Sequence, residues 1–174
     1  MISFILSLAV GIAVLIADQF TKHLVVANFQ EHEVREFING FIDLTYIRNP
    51  GGAWGMLSGN TWVLLGVSVA VMVICGIILV KYGIKNKLLH WALNLVMFGG
   101  VGNMIDRIFR EDKKVVDFLH FEFWPDFPVF NVADCAIVIG AGLLILYFVI
   151  DTVMEYKNKK TAEKDCDGID NADN

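Results

Sequence analysis

Four stretches of the chain are apolar enough to cross a membrane, and the polar residues are concentrated between and beside them. A spanning helix needs about 17–25 mostly apolar residues, because about 30 Å of hydrocarbon is crossed at 1.5 Å per residue. The pattern predicts helices at about 2–27, 61–82, 88–108 and 131–155. We therefore predict an α-helical integral membrane protein, with a single membrane-embedded domain at 1–160 and a disordered cytoplasmic tail at 161–174.

The first apolar stretch has an alternative interpretation as a secretory signal peptide. Such peptides begin with a basic segment and have a short apolar region. Met1 to Phe4 contains no basic residue, and the apolar stretch continues well beyond the usual length. These features favour a membrane helix.

The distribution of lysines predicts the orientation of the helices. The connection after the second helix carries Lys81, Lys85 and Lys87, and the segment after the fourth helix is also rich in lysine. Because cytoplasmic loops carry an excess of Lys and Arg, both segments are expected in the cytoplasm. Both termini are then cytoplasmic, and the two longer connections lie outside.

The two outer connections have the pattern of β-strands. Residues 34–47 have apolar runs on either side of Asn39-Gly40, which is a strong hairpin signal. Val116 to Trp124 is rich in aromatic residues and predicts a further strand. We predict that these loops form a small extracytoplasmic β-sheet.

Composition and charge exclude several classes of protein. The chain is 56% hydrophobic and 19% charged, which is too apolar for a typical soluble enzyme. The net charge is −5, of which the tail supplies −4, from five acidic residues and one lysine. Without a broad basic surface, no nucleic-acid partner is expected. The four histidines show no His-x-x-x-His pair, and no Gly-x-Ser-x-Gly motif occurs, so carboxylates are the remaining candidates for chemistry.

Polar residues of three predicted helices should meet at one membrane leaflet. Because successive helices alternate in direction, the ends of helices one and three lie beside the start of helix four. A charge inside hydrocarbon costs at least about 2.5–3.5 kcal/mol, so charges at one depth indicate a shared polar site. The residues at this level are Asp18, Lys22, Asn103, Asp106, Arg107, Asn131 and Asp134.

Most of these residues also have a structural interpretation. Asp18 and Lys22 are four residues apart and can form an intrahelical ion pair. Asp106 and Arg110 have the same spacing, and Arg107 can extend to the membrane interface. For Asp18, Lys22 and Asp106 the spacing alone favours the structural interpretation.

Asp117 is the strongest functional candidate among the carboxylates. Asn131 and Asp134 can be a helix cap and the acid that completes it. Asp117, in contrast, is flanked by apolar residues on both sides and has no sequence-local partner. Its charge contradicts the pattern of the strand that contains it.

The chain from Ile2 to Tyr156 closely resembles the bacterial lipoprotein signal peptidase family, also called type II signal peptidase. The resemblance rests on five motifs in a fixed order, and their combination is more specific than any one of them. The motifs are Asp18-Gln19-x-Thr21-Lys22, Asn49-x-Gly51-x-Ala53-Trp54-Gly55, Gly99-Gly100-x-Gly102-Asn103-x-Ile105-Asp106-Arg107, Val115-Val116-Asp117-Phe118 and Phe130-Asn131-x-Ala133-Asp134.

This resemblance implies a membrane aspartyl endopeptidase that removes signal peptides from diacylglyceryl-modified prolipoproteins. It implies cleavage on the N-terminal side of the lipidated cysteine, in the bacterial cytoplasmic (inner) membrane, at a site near the outer leaflet. The family's catalytic pair corresponds to Asp117 and Asp134. Its supporting residues correspond to Asp18, Lys22, Asn49, Asn103, Asp106, Arg107 and Asn131.

The resemblance also predicts the molecules that meet this site. Diacylated prolipoproteins, membrane lipids and globomycin-type inhibitors are expected partners, and no metal or cofactor is expected.

Two carboxylates about 4 Å apart repel by roughly 4 kcal/mol at an effective dielectric of about 20, so one of them should keep a proton. Such a pair can activate water by itself.

Two local departures from the family pattern affect the shape of the pocket. Gly52 and Trp54 stand where Ala and Phe are common. Residues 111–114, Glu-Asp-Lys-Lys, replace the glycine-containing turn that often precedes the Val-Val-Asp motif.

A different class of protein, a small transporter or channel, can also use intramembrane Asp, Lys and Arg residues as an ion or proton relay. The clustering of the acids at one leaflet leaves the second helix and the inner halves without a polar path, which disfavours a relay. Intramembrane proteases with a Gly-x-Gly-Asp motif are disfavoured because Gly100-Val101-Gly102 is followed by Asn103.

Overall fold

Four helices and a small sheet make up the part of the chain that the computed structural model describes, residues 2–83 and 86–170. Each helix contains a segment long and apolar enough to cross a membrane, which confirms the predicted spans. A π-helical segment, Leu79–Gly83, directly continues the second helix. The helices are α1 (Ile2–Asn28), α2 (Thr61–Ile78), α3 (Lys87–Phe109) and α4 (Val132–Asp170).

The last helix differs most from its predicted bounds. α4 begins at Val132, one residue after the predicted start, and its backbone stays helical beyond position 155. An ion pair between Glu155 and Lys159, with O and N atoms 2.8 Å apart, supports this extension at helical spacing. The helix includes residues 161–170 of the predicted disordered tail. Residues 171–174 of the tail and Lys85 of the basic connection lie outside the described residues, and the tail's disorder stays a prediction.

α3 is the central helix of the bundle and contacts the other three. Glycines let its neighbours approach closely. A Cβ atom at Gly102 would lie 2.7 Å from Asp18 Oδ2 of α1, and one at Gly99 would lie 2.5 Å from the Ala133 carbonyl oxygen of α4. The protein environment of α3 explains how this helix accommodates several polar side chains inside a membrane segment.

The predicted sheet is present as three antiparallel strands in the order β1-β2-β3. The strands are β1 (Val34–Ile38), β2 (Ile42–Asn49) and β3 (Val115–Phe121). Gly40 adopts a φ of +71° in the turn between β1 and β2, which explains why the Asn39-Gly40 pair marks the hairpin. The third strand joins two segments that are 66 positions apart at their closest paired ends, Asn49 and Val115.

An apolar cluster attaches the sheet to the end of the bundle. Val25 near the end of α1 packs with Tyr46, Val116 and Phe118 of the sheet. Because side chains alternate along a strand, Asp117 points away from the two apolar neighbours that anchor it. The cluster therefore places this carboxylate at the same end of the bundle as the polar residues of α1, α3 and α4.

Candidate active site

A fully buried lysine joins the first and third helices. Lys22 Nζ lies 2.9 Å from Asp18 Oδ2, 3.0 Å from Asp106 Oδ2 and 3.0 Å from Asn103 Oδ1. An ammonium group has three N–H donors, and each has an acceptor here. The predicted intrahelical Asp18–Lys22 pair does form, and it is one part of a larger network.

Asp18 also fixes the start of the fourth helix. Its Oδ1 atom accepts a hydrogen bond from the Ala133 backbone N–H at 2.9 Å. Its Oδ2 atom accepts one from Gln19 Nε2, which also donates to the Gly102 carbonyl oxygen. Sequence reasoning did not include Gln19 among the site residues, although its position inside the first motif was the available signal.

Asp106 connects α3 to the start of β3. Its Oδ1 atom lies 2.9 Å from Arg110 Nε, so the pairing expected from their spacing is present. Its Oδ2 atom, besides binding Lys22, accepts a hydrogen bond from the Val116 backbone N–H at 3.3 Å. Asp106 thus holds the strand residue next to Asp117, through the backbone.

Asn131 and Asp134 cap the fourth helix reciprocally. Asn131 Oδ1 accepts from the Asp134 N–H at 3.0 Å, and Asp134 Oδ2 accepts from the Asn131 N–H at 3.1 Å. This is the geometry of a capping box, as the sequence interpretation expected. The other Asp134 oxygen, Oδ1, accepts from Asn103 Nδ2 at 2.7 Å.

Asp117 is held by two asparagine amides from distant parts of the chain. Its Oδ1 accepts from Asn131 Nδ2 at 2.6 Å, and its Oδ2 accepts from Asn49 Nδ2 at 2.8 Å. Burial, followed by the negative charge of Asp134, raises the pKa of Asp117 to about 7, although the two amides and Lys22 act in the opposite direction. All four oxygens of Asp117 and Asp134 therefore accept an N–H hydrogen bond.

Asn131 is the link between the two carboxylates. Besides donating to Asp117 and capping the helix with Asp134, its Nδ2 lies 3.0 Å from Asn103 Oδ1. Asn131 is fully buried. One network of side chains thus extends from Lys22 through two asparagines to both carboxylates.

Arg107 lies inside the site rather than extending to the surface. It is 8% exposed, and its Nη2 donates to the Gly51 carbonyl oxygen at 2.8 Å. Gly51 in turn donates its N–H to Asn49 Oδ1 at 2.8 Å, which orients the amide that binds Asp117. The Arg107 side chain is therefore held inside the protein, and its depth relative to the membrane interface stays a prediction.

A short turn follows Gly51 and carries one of the two departures from the family pattern. Trp54 lies in the 3₁₀ turn Ala53–Gly55, adopts a φ of +52° and is largely exposed. Its ring packs edge-on against Phe127, with centroids 6.2 Å apart.

Across residues 2–83 and 86–170, no group of three or more His, Cys, Asp or Glu side chains is arranged to hold a metal ion.

Residues 10–150 match the family model described as signal peptidase (SPase) II. The chain belongs to this family. It is 44% identical to the lipoprotein signal peptidase of Symbiobacterium thermophilum over 149 residues, which cover 83% of this chain and 95% of that protein. It is 42% identical to the lipoprotein signal peptidase of Bacillus pumilus, with 84% and 90% covered.

Two solved structures described as bacterial membrane enzymes, determined by the in meso method, are similar to this signal peptidase. The first has a TM-score of 0.79 at 32% identity and covers 84% of this chain and 88% of the other. The second has a TM-score of 0.75 at 31% identity and covers 82% and 91%. The resemblance identified from the motifs is therefore confirmed, and the protein is a multi-pass bacterial membrane peptidase.

The structure brings all nine predicted site residues of this signal peptidase into one connected cluster. Their roles in catalysis or binding stay predictions. The residues are Asp18, Lys22, Asn49, Asn103, Asp106, Arg107, Asp117, Asn131 and Asp134.

Proposed function

We propose that this signal peptidase cleaves diacylglyceryl-modified prolipoproteins on the N-terminal side of the lipidated cysteine, with Asp117 and Asp134 as its catalytic pair. The observation that carries the proposal is that Asn131 binds both carboxylates and so holds them in one site. Aspartyl catalysis needs two carboxyl groups held in one site, one protonated and one ionised. Burial and the nearby Asp134 charge favour this state by raising the pKa of Asp117 to about 7.

The charge balance of the site also supports one shared proton. With every group ionised, four carboxylates face three cations, which leaves one uncompensated negative charge in a buried region. A single carboxyl proton removes that charge, and burying an unpaired charge is costly. The groups counted are Asp18, Asp106, Asp117 and Asp134 with Lys22, Arg107 and Arg110.

The proposed reaction is a general acid–base hydrolysis. The ionised carboxylate takes a proton from a water molecule, whose oxygen attacks the scissile carbonyl carbon, while the protonated carboxyl donates its proton to the carbonyl oxygen. The product of this step is a neutral tetrahedral diol. In the second step a diol hydroxyl returns its proton to one carboxylate, the other carboxyl protonates the amide nitrogen, and the C–N bond breaks.

We further propose that the site lies near the outer leaflet of the cytoplasmic membrane, with both termini in the cytoplasm. The substrate's own signal helix and two acyl chains then keep the scissile bond at a fixed depth among the membrane lipids. Asn49 and Arg107 are suited to a supporting role, because the Asn49 amide binds Asp117 and Gly51, and Arg107 donates to the Gly51 carbonyl oxygen. Globomycin-type inhibitors are expected to compete at this site.

The substrate proposal is tested with one diacylated prolipoprotein peptide and its unlipidated twin. We expect the purified enzyme in nanodiscs to cleave the lipidated peptide at the bond preceding the cysteine, as read by mass spectrometry. The unlipidated peptide should be cleaved at least about tenfold more slowly, because it lacks binding energy from the acyl chains. Equal cleavage of both peptides would contradict the lipid requirement.

The raised pKa of Asp117 predicts how activity depends on pH. Below about 7 the pair keeps its shared proton, and above that value the proton is lost, so kcat/KM should fall as the pH rises through about 7. Asn49 lowers this pKa through its hydrogen bond, so Asn49→Ala should move the falling limb to higher pH. The profile is measured between pH 5 and pH 9, with Asn39→Ala in the exposed hairpin turn as the control. If the falling limb of Asn49→Ala moves to lower pH, the assignment of this limb to Asp117 would be contradicted.

The proposed orientation is tested by cysteine labelling. In a background without the three native cysteines, Asn39→Cys should react with an impermeant thiol reagent added to intact cells. Asn86→Cys, which precedes α3 at the opposite end of the bundle, should react only after the cells are opened. Labelling of position 86 from outside would reverse the topology.

A further inference from the structure

The turn between α3 and β3, residues 110–114, carries an ion pair that touches none of the site residues directly. Arg48 Nη1 of β2 donates to Asp112 Oδ2 at 2.9 Å, and Asp112 Oδ1 accepts from the Lys114 N–H at 3.3 Å. Burial alone would raise the pKa of Asp112, but these hydrogen bonds outweigh it and lower the pKa. We call the Arg48–Asp112 ion pair the brace.

Arg48 is fixed on both sides, unlike a typical surface arginine. Its Nε atom donates to the hydroxyl group of Tyr46 at 2.7 Å, and Tyr46 is buried in the apolar cluster below the sheet. Isolated surface ion pairs contribute little to stability because both side chains must be ordered. Here Arg48 is already ordered by its contact with Tyr46 in the core. The brace can therefore fix the turn relative to β2 even if it adds little to the free energy of unfolding.

The brace lies at the end of β2 that pairs with the segment of β3 containing Asp117. The register between β2 and β3 shifts between Leu44 and Ile47, and regular pairing resumes with Ile47 opposite Asp117. Arg48 is the next residue, and Asn49, whose amide binds Asp117, follows it. The position of that amide therefore depends on how firmly the end of β2 is held against β3.

A second contact anchors the same turn to α2. Lys113 Nζ lies 4.5 Å from the ring centroid of Trp62, the second residue of α2. Lys113 has a φ of +54°, the left-handed conformation that glycine favours. This explains how a Glu-Asp-Lys-Lys turn can replace a glycine-containing one. The turn is thus held by β2 on one side and by α2 on the other.

We propose that Arg48 and Asp112 are positioning residues of the peptidase, which keep the Asn49 amide at hydrogen-bonding distance from Asp117. The inference rests on the proposed catalytic role of Asp117. Loss of the brace leaves the carboxylates and the substrate-binding groups in place, but it loosens the donor that favours the ionised form of Asp117. Turnover and its pH dependence should change, while substrate affinity should not.

The test compares Asp112→Asn, Arg48→Gln and the double variant in nanodiscs with the lipidated peptide. Each single variant should lower kcat about tenfold with KM within about twofold, because small displacements of catalytic groups cost this much. The double variant should be no worse than Arg48→Gln alone, since that change already removes the ion pair together with the contacts of Arg48 to Tyr46 and Glu31. The falling limb of the pH profile should move to higher pH in all three.

A matched control is available on the same sheet. Glu33 Oε1 lies 2.7 Å from Arg35 Nη2 in an exposed ion pair, and neither residue contacts the site network. Glu33→Gln should leave kcat, KM and the pH profile unchanged. Arg48→Lys, a milder change that keeps the charge, should recover part of the lost turnover relative to Arg48→Gln.

Rates are expressed per folded molecule, from the fraction that binds globomycin, so that a fall in yield is not mistaken for a fall in kcat. Brace variants whose kcat and pH limb match Glu33→Gln would overturn the inference. An additive double variant would overturn it as well. Full cleavage by Asp117→Asn would instead refute the proposed function, which is a separate result.

Discussion

Replacing Asp117 by Asn is expected to abolish cleavage of the lipidated peptide, and so is replacing Asp134 by Asn. The exchange is nearly isosteric, so the amide oxygen can still accept one of the hydrogen bonds that each carboxylate receives. An amide cannot take the proton from water, however. General acid–base groups are typically worth about 10²–10⁴-fold in rate. Both variants should therefore fall to the detection limit in a single-turnover assay.

The double variant separates a catalytic pair from two independent groups. If Asp117 and Asp134 act as a unit, Asp117→Asn with Asp134→Asn should be no slower than either single variant. Binding of globomycin and the unfolding temperature report that the variants are folded. Asp134→Asn should cost about 1 kcal/mol or less through its cap, because the amide retains a capping oxygen. Substantial cleavage by either folded single variant would remove the aspartyl mechanism and return the relay hypothesis to consideration.

Replacing Lys22 by Met is expected to be the most destabilising single change in the site. Lys22 is fully buried and is the cation shared by Asp18 and Asp106. Breaking a buried pair by removal of one partner typically costs about 3–5 kcal/mol, because the remaining charge is uncompensated. Here Asp18 loses its cation and Asp106 loses one of its two, keeping Arg110. The yield of folded protein in detergent and its unfolding temperature should both fall sharply.

Neutralising one of the acids tests this explanation. Lys22→Met combined with Asp18→Asn should be more stable than Lys22→Met alone, since one uncompensated charge is gone. Asp106→Asn alone should lower stability more than it lowers turnover per folded molecule, because Asp106 binds Lys22, Arg110 and a backbone N–H. Lys159→Met, in an exposed pair with Glu155, is the control and should leave the unfolding temperature unchanged. If Lys22→Met unfolds at the same temperature as Lys159→Met, the contacts of Lys22 with Asp18 and Asp106 would have no structural role.

The sequence predicts the spans and the hairpin well because both depend on patterns of neighbouring residues. About 20 apolar residues cannot be placed elsewhere than in lipid or a large core, and Asn39-Gly40 suits a turn that needs a positive φ. The reciprocal cap of Asn131 and Asp134 was likewise visible, since its partners are three residues apart.

Contacts between distant residues could not be predicted from such patterns. Asp117 stands out as a charge in an apolar strand, yet nothing near it in sequence indicates that amides at positions 49 and 131 bind it. The second partner of Gln19, the carbonyl of Gly102, lies 83 positions away. The burial of Arg107 likewise depends on the turn that contains Gly51. Each of these contacts follows from helix packing that only the folded chain defines.

The contact between Asp18 and the start of α4 has a consequence for the order in which the protein is made. Asp18 enters the membrane with the first helix, but the backbone N–H that it caps belongs to Ala133, which is synthesised 115 residues later. In the meantime Lys22 can neutralise Asp18 within the same helix turn, and α3 then adds Asn103 and Asp106. The proposed catalytic pair is completed only when Asp134 is synthesised, so on this proposal a ribosome-bound chain is inactive until its last span is in place.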